Sequence, residues 1–130
     1  MRLTTNLLQR FLQMATTEAA TIERQFKHIS IITNNKGHIL SVGTNRLKTH
    51  PTMVQLGYPM VQLHSEVDAF TKLTYNDKKK RLILVNFRLN VKDELRLSKP
   101  CKYCMPWCVT AFEEIFFSTE NGFDKFVQNA

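Results

Sequence analysis

The chain is 130 residues long, room for one hydrophobic core and too little for two, so a single domain over residues 1–130 is expected. Its 43% hydrophobic and 22% charged residues exclude a fibrous or disordered class, and no apolar run nears the roughly 20 residues that span a bilayer. The N-terminus lacks the unbroken apolar run of a secretory signal, so a cytoplasmic setting without a membrane partner is expected, and the net charge of +7 favours anionic partners.

In chain order, Leu7, Leu8, Phe11, Leu12, Ala15, Ala19 and Ile22 recur at spacings of three and four and predict an amphipathic helix over 5–24. Residues 29–33 and 38–42 are β-rich and flank Asn34-Asn35-Lys36-Gly37, a turn sequence, so they predict a hairpin. The stretch 43–63 holds Pro51, Gly57 and Pro59 without periodicity and predicts a long loop, a frequent carrier of function.

A helix is expected over 64–75, with Val67, Phe70 and Thr74 on one face, and a buried strand over 81–87. From Lys72 to Lys102 ten basic residues stand against Asp77, Asp93 and Glu94, which accounts for the whole net charge. That run is either a field for an anionic substrate or a solvated basic surface. Another helix is expected from near Cys101, carrying Val109 and Phe112, then a strand over 114–119 closed by Asn121-Gly122. Residues 123–128 fit a short strand or a helical turn. Helices alternating with strands in this order imply an α/β class, a three-layer α/β/α sandwich.

Three cysteines, two of them in Cys101-Lys102-Tyr103-Cys104, suit a metal site or a redox pair in a reducing compartment better than a disulfide framework. Residues three apart in a helical turn face the same way, and Pro100 suits a helix start. Upstream stands His64-Ser65-Glu66.

His-x-Glu followed by Pro-Cys-x-x-Cys resembles the signature of the zinc-dependent nucleobase deaminases, the cytidine deaminase superfamily. The order of elements is similar over most of the chain, and residues 45–51 are similar to small deaminase-like proteins of bacteria and their viruses. The resemblance implies a mixed, roughly five-stranded sheet and a catalytic Zn2+ with His64, Cys101 and Cys104 as its three ligands. The fourth position stays open for water, whose pKa the metal lowers. Glu66 then serves as proton shuttle, since a third negative ligand would fill the open position and quench the electrophile. Asn45, after the second strand, takes the place of a sugar-contacting residue, and His50, Ser65, Tyr103 and Trp107 are further candidate substrate contacts.

The implied reaction is hydrolytic deamination of a cytosine-type nucleoside or nucleotide, C to U with release of ammonia. Its alternatives are cytosine in single-stranded DNA or RNA, adenine in a transfer RNA, or an inactive zinc-stabilised nucleic-acid-binding module, and a homo-oligomer is compatible with each. Two residues depart from the pattern. Cys108 is either a fourth ligand that would close the metal or a small buried cysteine, and Pro106 either kinks the helix or delays its start. Tyr103 and Trp107 would stack on a base or fill the core.

Overall fold

The computed structural model describes residues 5–20, 22, 27–45 and 64–126. Helix α1 (Thr5–Ala19) is followed by the hairpin β1 (Lys27–Asn34) and β2 (Ile39–Thr44). Helix α2 (Ser65–Thr71), a 3-10 turn (Asp77–Lys79) and the central strand β3 (Leu82–Leu89) come next. The two-residue β4 (Leu95–Arg96), helix α3 (Met105–Ala111) and the hairpin β5 (Glu114–Thr119) and β6 (Gly122–Lys125) complete the order.

The strands run β2-β1-β3-β5-β6, with β4 also on β3. Among the described residues only β3 and β5 pair in parallel, and the chain between them carries all three cysteines. The expected mixed sheet is thus present, one short strand richer than the sequence suggests. The last segment resolves as strand, paired antiparallel with β5 through Thr119↔Gly122. A lysine on β6, Lys125, ties back to Glu114 of β5 at 3.2 Å.

Strand alternation sorts the core onto two faces. Ile29 and Ile31 of β1 with Ile83, Val85 and Phe87 of β3 face α1, which presents Phe11, Ala15 and Ala19. Ile32, Leu82, Leu84 and Ile115 face the other way, toward Val67, Ala69 and Leu73 of the α2 segment and Cys108 and Phe112 of the α3 segment. Among the described residues, a helix on one face and two on the other make the sandwich. Both later helices differ from expectation at their ends. α2 stops at Thr71, and α3 starts at Met105 because Pro106, in its first turn, sits where a missing N–H costs nothing.

Helix α2 lies unusually close to β2. A Cβ on Gly43 would collide with the backbone of Ser65 and Ala69, standing 2.8 Å from Ala69 Cα. Ser41 Oγ donates to Ala69 O at 2.6 Å, and the Thr44 N–H donates to the buried Asp68 carboxylate at 2.9 Å. Lys72 Nζ spans the joint, reaching Asp68 Oδ2 at 3.0 Å and Val42 O at 3.2 Å. These bonds fix the first turn of α2 against the sheet.

Candidate metal centre and active site

His64 is the N-cap of α2, in extended backbone (φ −77°, ψ 147°), so its ring projects off the helix start. Cys101 and Cys104 lie on a tight turn before α3, closed by Met105 N–H donating to Cys101 O at 2.9 Å. They therefore precede the helix rather than sit inside it, contrary to the start expected near Cys101. The chain leading into the turn is anchored at Ser98, whose Oγ donates to Asn86 O at 2.8 Å and whose N–H donates to Ser118 O at 2.9 Å.

His64 Nδ1 stands 3.7 Å from Cys101 Sγ and 3.5 Å from Cys104 Sγ. Tetrahedral zinc with one imidazole and thiolate ligands requires nitrogen-to-sulfur separations of about 3.6 Å. The three donor atoms all lie within 4.8 Å of one another, so the set can hold a metal ion. Among the described residues it has no fourth His, Cys, Asp or Glu member. Cys108 is fully buried in the core beside Cys104, and its thiol is pushed up by desolvation and then by the charges of Glu66 and Cys101.

The electrostatics prepare the Cys101 sulfur. The Cys104 side chain, then His64 and the backbone N–H groups of Cys104 and Tyr103, hold the half-buried Cys101 thiol down to about 4. His64 is raised above its usual value, chiefly by its bond to Cys101, with smaller pushes from the charges of Cys101 and Glu66. Glu66 is thus close enough for its field to reach His64.

The Glu66 carboxylate is buried in a polar network. Ser65 Oγ donates to Glu66 Oε1 at 3.0 Å, and Asn86 Nδ2 donates to Glu66 Oε2 at 3.3 Å. Ser30 Oγ donates to Asn86 Oδ1 at 2.7 Å and lies 2.8 Å from Ser65 Oγ. Ser30, Ser65, Glu66 and Asn86 are all buried. Neither Ser30 nor Asn86 is singled out by the sequence. The one signal was Asn86 itself, a polar residue inside the apolar run of β3.

The remaining candidates separate. Asn45 closes the β1–β2 hairpin, its Oδ1 accepting the His28 N–H at 2.9 Å and its own N–H donating to His28 O at 3.2 Å. Ser65 faces the network rather than solvent. Trp107 is half-buried and packs against the edge of the core, with Phe70 and Phe112 at ring separations of 5.4 and 6.0 Å. Tyr103 is exposed, with Lys102 Nζ 5.1 Å from its ring. His50 lies outside the described residues.

A three-layer α/β/α sandwich with a His-Cys-Cys donor set and a buried carboxylate at the start of α2 defines a deaminase-type fold. Among solved structures, the chain is similar to cytidine deaminase from Mycobacterium leprae, with 16% identity and a TM-score of 0.56 over 92% of this chain and 91% of that one. It is likewise similar to cytidine deaminase from Mycobacterium tuberculosis, with 13% identity and a TM-score of 0.56 over 88% and 85%. The fold is that of the cytidine deaminases. No family model and no curated protein matches the sequence.

Proposed function

We propose that the chain is a zinc-dependent hydrolytic deaminase that converts a cytosine-type nucleoside or nucleotide to its uracil product with release of ammonia. The observation that carries this reading is the buried Glu66 carboxylate beside a three-membered donor set. A purely structural metal site needs four ligands and no neighbouring carboxylate. A zinc ion on His64 Nδ1, Cys101 Sγ and Cys104 Sγ would polarise water and lower its pKa toward neutrality. Glu66 accepts a proton at a carboxylate oxygen, passes it to the ring nitrogen of the base, and helps protonate the departing ammonia. Asn45, at the end of β2, orients the sugar.

A phosphate-bearing substrate, nucleotide or single-stranded polynucleotide, has its own support. His28, Arg88 and Arg96 are cross-strand partners, on the same sheet face as Ser30 and Asn86 and two residues farther along. Two strand residues span about 6.6 Å, so this basic row lies within a nucleotide's length of the Glu66 network.

Zinc-loaded protein is expected to yield uracil products in a mass-spectrometric panel of cytidine, deoxycytidine, their monophosphates and short single-stranded DNA and RNA. Glu66→Gln should lower turnover by about 10³-fold, within the usual range for a lost general acid-base, while keeping its metal. Absence of product from every member of the panel would sink the reading. A steep salt dependence of oligonucleotide binding together with editing would move the substrate to the polymer.

A further inference from the structure

We propose that Asn86 is the positioning residue of the reaction: from β3 it fixes the Glu66 carboxylate in the orientation that proton transfer needs, with Ser65 and Ser30 as its partners. The inference rests on Glu66 being the proton carrier.

Asn86 interrupts a strand whose other fully buried positions are apolar, and it is itself almost fully buried. A buried amide costs stability unless its bonds are made. All of them are. Nδ2 has two hydrogens, one directed at Glu66 Oε2 at 3.3 Å and the other at Ser98 O at 3.2 Å. Oδ1 accepts from Ser30 Oγ at 2.7 Å. Reversing the amide would set Oδ1 against both a carbonyl and a carboxylate oxygen, so only one orientation satisfies the site.

Counting hydrogens distinguishes the two sides of the carboxylate. Asn86 Oδ1 can only accept, so the Ser30 hydroxyl hydrogen is committed to it. The single Ser65 hydrogen is left to serve either Glu66 Oε1 at 3.0 Å or Ser30 Oγ at 2.8 Å. Glu66 is therefore held by a rigid donor at Oε2 and a rotatable one at Oε1. The rigid donor also bonds Ser98 O at 3.2 Å, three residues before Cys101, so one side chain sets the Glu66 carboxylate relative to the segment that leads into two metal ligands.

The test compares Asn86→Asp, which keeps the acceptor for Ser30 and loses both amide hydrogens, with Asn86→Ala and Ser65→Ala. We expect kcat to fall on the order of 100-fold in the Asn86 variants, as for a displaced reacting group, with KM within about twofold and zinc content unchanged. Ser65→Ala, should the Asn86 variants fail to fold, is expected to lose kcat about 10-fold with the same unchanged KM. In a Glu66→Gln background Asn86→Ala should add no further loss, because its effect passes through the carboxylate. A lower melting temperature with unchanged kcat in the folded protein would overturn the proposal. An activity-independent reading comes from the Asn86 side-chain amide signals in a 1H–15N spectrum of the zinc-loaded protein, which should shift on Glu66→Gln. Signals that stay in place would refute the clamp even if no substrate is turned over, whereas shifted signals in a protein without turnover would refute only the deaminase reading.

Discussion

Cys101, Cys104 and Cys108 lie within eight residues, yet Cys101 and Cys108 experience opposite fields. Cys101 faces the Cys104 side chain, an imidazole and two backbone N–H groups, which hold its thiol down to about 4. Cys108 is fully buried against apolar side chains and stays a thiol. In the metal-free protein, iodoacetamide followed by mass spectrometry should therefore label Cys101 first, at a rate nearly flat between pH 6 and 8, and Cys108 only on unfolding. Zinc should protect Cys101. The linkage has a sign as well. Cys101 has a folded value below its unfolded one, so its stabilisation is complete above pH 9 and is lost as pH falls toward 4. His64 is raised, so its share is complete below 6.5 and fades as pH climbs through the raised value. Metal-free protein should accordingly melt at lower temperature as pH falls from 7 to 4. The donor residues themselves were legible because each half of the set, His64 with Glu66 and Cys101 with Cys104, is a short local motif that can be read without knowing how the strands pair. Asn86 and Ser30 were not, since they stand 20 and 36 residues from Glu66 and become its neighbours only once β1 and β3 pair.

The element that matters most is α2, which carries His64 at its N-cap and Glu66 in its first turn. Its seating depends on Gly43, where no side chain fits between β2 and the backbone of Ser65 and Ala69. Gly43→Ala should cost about 3 kcal/mol by overpacking, and the strain falls on the turn that carries the site. Thermal melting and zinc titration should both register it, the variant losing metal affinity as well as stability. Retained zinc affinity with normal melting would show that the helix can slide without consequence. The sequence offers only a glycine near the end of a strand, because close approach of a helix leaves no mark on the pattern of either partner. The ends of α2 and α3 differ from the sequence pattern for related reasons. The face of Val67, Phe70 and Thr74 continues past Thr71, where the helix stops, and Pro100 resembles a helix start although Pro106 is the proline that fills that role.

Across the whole molecule the sheet separates two cores, and the site belongs to only one of them. Phe11 packs with Ile29, Ile31, Val85 and Phe87 on the face away from the metal donors. Phe11→Ala should cost about 3 kcal/mol, read as a lower melting temperature, with zinc affinity unchanged. Chelating the metal should lower melting separately, and the two losses should add, since the sites share no partners. The sandwich was legible because helices and strands alternate with clear periods. β4 was not, since two residues hold no period, and Leu95–Arg96 pair with β3 only because the turn at Asn90 and Asp93 folds them back. At the far border of the sheet, among the described residues, β6 presents its outer backbone to no neighbouring strand. Unprotected borders of this kind recruit strands from other molecules and seed fibrils. Two of the four residues of β6, Asp124 and Lys125, are charged and exposed, and any incoming strand would have to strip water from both. The same hairpin that completes the sheet thereby resists its extension into an aggregate.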